Sequence, residues 1–101
     1  MNADLIHKAL ANPLRRDILT WLKTPDTACD QERVAYGHGV PLKAIQTRCG
    51  LSQSTVSAHV SSLVEAGLLV AVRVGQFVFL SRNEAVIEAF IAEVSRWGAR
   101  H

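Results

Sequence analysis

The sequence lacks a long apolar run and has few cysteines. Its longest uninterrupted apolar run extends only from Leu68 to Val72, whereas a membrane-spanning helix needs about 20 apolar residues. Asp4 and His7 stand near the start in place of a basic segment followed by an apolar one, so no secretory signal is expected. Two cysteines cannot form a disulfide framework, and their spacing matches no zinc-binding template. We therefore expect a cytoplasmic protein without a metal or cofactor and without a membrane partner.

Motifs for catalysis are also missing. The sequence holds no glycine-rich phosphate loop and no His-Glu-x-x-His pair. Cys29 with His38 is the nearest approach to a nucleophile with a base, and no oxyanion-binding device accompanies them. The protein is therefore not expected to be an enzyme.

The charge distribution is more informative than the net charge. The chain has 101 residues, of which 49% are hydrophobic, and a net charge of only +2. This size suits a single domain, spanning residues 1–101, with its own core. Residues 41–82 contain a single acid, Glu65, against the basic residues Lys43, Arg48, Arg73 and Arg82. This middle segment is a usable electrostatic footprint for a polyanion.

Apolar periodicity, caps and turn residues predict a mainly helical fold with one β-hairpin. Asn12 followed by Pro13 favours a helix start, because Asn caps helices well and Pro suits the first helical position. Gly50 and Ser52 indicate a tight turn between two further helices. The predicted order is α1 (about 3–11), α2 (13–23), a loop (24–40), α3 (41–49), α4 (52–66), a hairpin (68–81) and α5 (about 83–97).

The outward face of α4 is made of small, uncharged side chains. The helix is expected to bury Val56, Val60, Leu63 and Val64. The opposite face then carries Ser54, Thr55, Ala58, Ser61 and Ser62. A solvated helix face usually prefers longer charged side chains, whereas short hydroxyl side chains allow a helix to lie deep in the major groove of DNA. An exposed serine-rich helix, or one that packs against a protein, is the alternative.

Five further residues are predicted to contact DNA. Gln53, at the N-terminal end of α4, has the amide group that pairs bidentately with adenine, and Ser57 lies one turn later. Arg73 and Gln76, on the hairpin, are placed to reach a phosphate or the adjacent minor groove. His59 lies at the boundary of the two faces, where a phosphate contact and a neutral histidine at the edge of the core are equally good interpretations.

The arginines also have interpretations that do not involve DNA. Arg73 and Arg82 are expected to flank the hairpin tip, although an arginine that is merely solvated at a strand end is an alternative for Arg73. Arg15 and Arg16, early in α2, are expected to be solvated charges and not phosphate contacts.

Two segments resemble the ArsR/SmtB-type regulators. They are Ala9–Leu19 and Leu51–Val60, the second with the pattern Ser-Gln-x-x-Val-Ser-x-His. The resemblance covers nearly the whole chain outside residues 24–40. It implies a winged helix-turn-helix fold and a homodimer formed through α1 and α5. It also implies binding to an inverted-repeat, near-palindromic double-stranded operator, usually as a repressor.

The dimer also follows from the residues themselves. Apolar positions on α1 and α5 exceed what one small core can cover, and Phe90 and Trp97 would be unfavourable in water. A winged helix that contacts a protein, without specific DNA binding, is the remaining alternative function.

Several hypotheses remain for the signal that releases such a regulator from DNA. The family's metal positions on α3 carry no thiol here, and α5 carries Glu84, Glu88 and Glu93 without a histidine before His101. Cys29 and Cys49 form a redox pair in one hypothesis, in which oxidation shifts α3, and are inert in another. Three more hypotheses are a metal site formed by Cys29, Asp30 and His38, a small molecule at the dimer interface, and no effector at all.

Overall fold

The computed structural model describes residues 1–23 and 39–98. The elements in chain order are α1 (Ala3–Leu10), α2 (Pro13–Lys23), β1 (Val40–Pro41), α3 (Leu42–Cys49), α4 (Gln53–Glu65), β2 (Leu69–Val74), β3 (Phe77–Arg82) and α5 (Glu84–Gly98). The predicted mainly helical fold with a hairpin between α4 and α5 is confirmed. Most of the predicted loop, residues 24–38, lies outside the described residues.

The predicted caps set the starts of α2 and α4. The Asn12 side-chain carbonyl accepts a hydrogen bond from the Leu14 backbone N–H at 2.8 Å. The Ser52 hydroxyl accepts one from the Thr55 backbone N–H at 3.3 Å. Each cap satisfies an N–H group that has no partner inside its own helix. Gly50 makes the turn between α3 and α4 with a φ of 68°, which sets the angle at which α4 leaves α3.

The end of α4 fixes where the hairpin begins. The Gly67 N–H donates to the Val64 carbonyl at 2.9 Å, and the Leu68 N–H donates to the Leu63 carbonyl at 3.0 Å. This pair of bonds is a Schellman motif, which satisfies carbonyl groups left open at the helix end. The chain turns here and enters β2, so the hairpin stands beside α4.

A strand that the sequence did not predict extends the hairpin into a three-stranded sheet of order β1-β3-β2. Val40 pairs with Leu80, and Pro41 pairs with Phe79. The assignment of Val40 to a loop and of Pro41 to the first residue of α3 was therefore wrong, and α3 begins at Leu42. A strand of two residues has no periodicity to detect, and Pro is tolerated here because β1 is an edge strand.

The core lies between the four N-terminal helices and the base of the hairpin. On α4, Val56, Val60 and Leu63 are buried and Val64 is half-buried, as predicted. Other fully buried side chains come from the remaining elements: Ile6, Ile18, Val40, Ile45, Leu68, Phe79 and Leu80. Because the core fixes the rotation of α4 about its own axis, it also decides which side chains face outward.

Candidate nucleic-acid interface

The outward face of α4 is largely exposed on the described chain. Its exposed residues are Gln53, Ser54, Thr55, Ala58 and Ser61. Ser57, His59 and Ser62 are half-buried. The structure therefore places the predicted small-residue face on the surface, where nothing longer than Gln53 projects from its N-terminal half.

Hydroxyl groups at the start of α4 bond to one another. The Ser52 hydroxyl lies 2.8 Å from the Thr55 hydroxyl and 3.3 Å from that of Ser54. Since Ser52 also caps the helix, these contacts hold the first turn in one arrangement. The hydroxyl of Thr55 is thus oriented before any ligand arrives, and the amide of Gln53 remains available for an outside partner.

A cleft of about 670 Å³ separates the start of α4 from α3 and the hairpin tip. Among the residues that the structure describes, its polar lining has three amides and two cations and no acid: Gln46, Gln53, Gln76, Lys43 and Arg73. Ser57 contributes a hydroxyl group. Gln53, Ser57, Arg73 and Gln76 were predicted from separate elements, and the fold brings them together.

Lys43 and Gln46 are candidate contacts that the sequence analysis missed. Both line the cleft from α3, three residues apart and therefore on one side of the helix, away from buried Ile45. The spacing was visible in the sequence, but only the fold shows that this side of α3 faces Gln53 and the hairpin.

His59 is tied to the start of α2. The Arg15 Nε–H group donates a hydrogen bond to His59 Nδ1 at 3.0 Å. Both side chains are half-buried, so the expectation that Arg15 is simply solvated was wrong. Arg16 is exposed and donates to the Leu10 carbonyl. With Nδ1 occupied as an acceptor, His59 keeps Nε2 for any second partner.

The two hairpin arginines have different environments. Arg73 is exposed near the tip, opposite Val78. Arg82 lies at the other end of the hairpin, where its Nη1 donates to the Leu19 carbonyl at 3.1 Å and its Nε lies 2.8 Å from Glu84 Oε2. The prediction that Arg82 flanks the tip was therefore wrong. Arg82 lies at the base of the hairpin, where its side chain bonds to both α2 and α5.

Cys49 is half-buried at the end of α3. Burial raises the pKa of its thiol, Arg48 lowers it and Asp17 raises it, with burial the largest effect. The neighbouring Arg48 guanidinium lies 4.5 Å from the ring centre of Trp21. Burial therefore favours the protonated form of this thiol, and a thiol reacts more slowly than a thiolate.

Cys29, Asp30 and His38 lie outside the described residues, so the redox pair and the predicted alternative metal site remain predictions. Within residues 1–23 and 39–98, no three His, Cys, Asp or Glu side chains are grouped to hold a metal ion. The helices in the same ranges are too short or too polar to cross a membrane.

An apolar surface follows α5 on the side that α1 shares. Ile91, Val94 and Trp97 are 57%, 39% and 49% exposed. The His7 ring stacks on Trp97 with a centroid distance of 5.6 Å and meets the edge of Phe90 at 5.4 Å. Exposed apolar area of this kind indicates a contact surface.

The sequence profile of the helix-turn-helix domain family matches residues 10–73, which include α2, α3, α4 and most of β2. The chain belongs to this family. The HTH-type transcriptional regulator YbzH of Bacillus subtilis (strain 168), whose own role is uncharacterized, is 34% identical over 88 residues. That alignment covers 81% of this chain and 84% of YbzH.

Solved structures agree with this assignment. HlyU from Vibrio cholerae N16961 superposes with a TM-score of 0.65 at 27% identity, covering 94% of this chain and 89% of HlyU. The homodimeric winged helix-turn-helix DNA-binding domain of Mb0332 from Mycobacterium bovis, a possible ArsR-family regulator, gives 0.61 at 27% identity, covering 98% and 80%. An ArsR-like regulator from Rhodococcus sp. RHA1 shares the fold, with a TM-score of 0.68 at 22% identity over 96% of this chain and 79% of that one. The expected helix-turn-helix transcriptional regulator is thereby confirmed, and the expected resemblance to ArsR-type regulators is matched by the descriptions of two of these structural neighbours.

Proposed function

We propose that this regulator is a homodimer that represses transcription by binding a near-palindromic operator, with α4 in the major groove and the hairpin as a wing. The observation that carries the proposal is the cleft of about 670 Å³ between α4, α3 and the wing. Its described polar lining has amides to read base edges and cations to neutralise phosphates, and no acid within residues 1–23 and 39–98 lines it to repel them.

Each residue of the α4 face has a role that follows from its size and position. Gln53 pairs with a base edge, adenine being the partner its amide fits best. Ser54, Thr55, Ser57 and Ser61 bring hydroxyl groups to bases or phosphates, and Ala58 leaves room for close approach. Because none of these side chains is longer than Thr apart from Gln53, α4 can lie deep in the groove.

The surrounding residues position the duplex. Arg73 and Gln76 contact the backbone or the minor groove beside the wing. Lys43 contacts a phosphate and Gln46 a second base edge from α3. His59 offers Nε2 to a phosphate while Arg15 holds Nδ1.

Dimerisation through α1 and α5 completes the proposal. The exposed Ile91, Val94 and Trp97 would be covered by the same surface of a second copy. A two-fold dimer of this kind places two α4 helices about 34 Å apart, which is one turn of DNA. The homodimeric M. bovis domain supports this arrangement.

The test begins by selecting operators from a random duplex library with the full chain. Fluorescence anisotropy then measures Kd for the selected duplex and for an unrelated one. We expect a Kd near 10⁻⁸ M or below for the selected site, at least about 10³-fold tighter than the unrelated duplex. Replacing Gln53 and Thr55 together by Ala should abolish that difference, while Ser95→Ala, on exposed α5, serves as the matched control. If the double variant kept the sequence preference of the unmodified protein, the assignment of the small-residue face of α4 to base recognition would be contradicted.

The other candidate function is that of a protein-contact module, and one observation on the hairpin favours it. Val70, Val72, Val74 and Phe77 are exposed apolar side chains on the hairpin. The dependence on salt separates the two functions. Phosphate contacts make log Kd rise linearly with log salt, with a slope near 0.9 for each contact. The absence of binding to any duplex in dilute buffer would favour the protein-contact module.

A further inference from the structure

A second, smaller pocket lies on the other side of α4. It has a volume of about 330 Å³, is open to solvent on one side, and is bounded by α1, the start of α2 and the C-terminal half of α4. Its lining consists of Leu5, Lys8, Ala9, Arg15, Ser62 and Glu65. The volume falls within the range of small-molecule sites, which starts near 300 Å³.

The charged groups of this pocket are not paired with one another. Among the described residues, no salt bridge joins Lys8 or Arg15 to Glu65, although all three line the same space. Arg15 uses Nε to hold His59, and its two Nη groups have no other described partner. Half-buried Leu5 supplies an apolar surface beside these charges, with Ala9 beneath it in the core.

We propose that this pocket binds an α-amino acid. Lys8 and the Nη groups of Arg15 bind the carboxylate, since a guanidinium fits a planar carboxylate with two parallel hydrogen bonds. Glu65 binds the ammonium group, and Leu5 contacts an apolar side chain. A simple anion would use only the two cations and would be repelled by Glu65.

The same carboxylate argues against a DNA phosphate as the occupant. Glu65 is the single acid in residues 41–82, and it lies in the pocket that also holds Lys8 and Arg15. A surface that follows a polyanion gains from cations and loses from an acid between them. No described residue that lines the cleft with Lys43 and Arg73 is an acid.

The Arg15 side chain links the pocket to His59, on the helix that carries the small-residue face. Arg15 lines the pocket and also donates a hydrogen bond to His59. His59 and the pocket residue Ser62 belong to α4, the helix that also carries Gln53 and Thr55. An amino acid that draws the Arg15 guanidinium toward itself changes the bond at 3.0 Å that ties α2 to α4. We therefore expect the ligand to change operator affinity, and this second step rests on the proposed function.

Isothermal titration calorimetry on the full chain tests the site without DNA. The probes are L-leucine, L-methionine and L-phenylalanine, with 4-methylpentanoate and isoamylamine as leucine analogues that lack the ammonium or the carboxylate. We expect at least one amino acid to bind once per chain with a Kd below about 1 mM. Both analogues should bind at least about tenfold more weakly than leucine. No binding by any of the three amino acids, or equal binding of 4-methylpentanoate and leucine, would overturn the proposal.

Substitutions assign the binding to this pocket. Glu65→Gln keeps the shape and removes the charge, and should weaken amino acid binding at least about tenfold. Glu88→Gln, on exposed α5, is the matched control and should leave Kd unchanged. Circular dichroism checks that both variants fold. A Glu65→Gln protein that binds as tightly as the unmodified protein overturns the site.

Operator binding with and without saturating ligand tests the link to α4. A change in operator Kd of at least about fivefold, absent in Glu65→Gln, is expected. An unchanged Kd would overturn the link and leave the site in place. Failure to bind any operator would instead contradict the proposed function, which the calorimetry does not depend on.

Discussion

Arg15 Nε donates a hydrogen bond to His59 Nδ1 at 3.0 Å, which joins residues 44 positions apart. The bond links the first turn of α2 to the middle of α4, the helix that carries the small-residue face. Two helices that pack through apolar side chains alone can slide by small amounts, whereas a directional bond between half-buried groups fixes their register.

A double-mutant cycle at this pair should show energetic coupling. Arg15→Ala and His59→Ala each remove one partner, and the double variant removes both. We expect a coupling energy of about 0.5–1.5 kcal/mol in urea unfolding, the usual net value of such a hydrogen bond. Purely additive changes in the free energy of unfolding would show that the bond does not stabilise the fold.

Lys43 and Gln46 should have different effects on operator binding. Lys43→Ala removes a phosphate contact, so Kd should rise for every duplex and the salt slope should fall by about one. Gln46→Ala should change the preferred base at one position of the site and leave the salt slope as it was. Binding-site selection and salt titration with each variant measure the two effects. Lys23→Ala, exposed at the end of α2, is the control for the loss of one positive charge, and an equal loss of slope there would contradict the assignment.

Trp97 should be needed for the dimer. Trp97→Ala removes a half-exposed ring and its stacking on His7, so less apolar area is covered when two copies associate. We expect analytical ultracentrifugation to show a monomer–dimer equilibrium shifted by at least about tenfold toward monomer. Ser95→Ala, at an exposed position of α5 two residues before Trp97, should leave the equilibrium unchanged. A Trp97→Ala protein that dimerises as tightly as before would place the interface elsewhere.

The thiol of Cys49 should react slowly. Because burial raises its pKa, the thiolate fraction near neutral pH is smaller than for an exposed cysteine. The folded state holds this proton more tightly than the unfolded state does. Its contribution to stability is therefore fully present below the pKa of an exposed thiol and is lost as pH rises through the raised pKa of the folded protein. In a Cys29→Ser background, alkylation of Cys49 should be slower than that of glutathione at neutral pH and should accelerate as pH rises.

Operator binding tests the redox hypothesis directly. Cys49→Ser should leave binding in reducing buffer unchanged, because the residue lies outside the cleft. If Cys29 and Cys49 form a redox pair, an oxidant should weaken binding by the unmodified protein and not by either single Ser variant. Equal responses of the three proteins would exclude the pair.

The sequence predicted the elements whose signal is local. The apolar stripe of α4 fixed which of its side chains face outward, and Asn12 and Ser52 marked the starts of two helices. β1 could not be predicted, because a strand of two residues is too short to show the alternation of buried and exposed side chains. The contact of Arg15 with His59 depends on how two helices distant in sequence pack, and the shared cleft of Lys43 and Gln53 depends on the angle between two consecutive helices. Side-chain spacing within one helix carries no information about that packing.

Gly39 should be the least replaceable glycine in the described part of the chain. Its φ of 118° is unfavourable for any residue with a Cβ, and a Cβ built there would lie 2.5 Å from the Leu80 carbonyl oxygen. Since Gly39 precedes β1, relief of that clash would require Val40 to move away from Leu80, its partner in the sheet. We expect Gly39→Ala to lower the free energy of unfolding by at least about 2 kcal/mol. Gly50→Ala is the matched control, because its φ of 68° is also positive but nothing lies within 4 Å of the added Cβ, and it should cost only about 1 kcal/mol. Equal losses in urea unfolding would show that backbone conformation alone, and not the close approach of Leu80, makes Gly39 necessary.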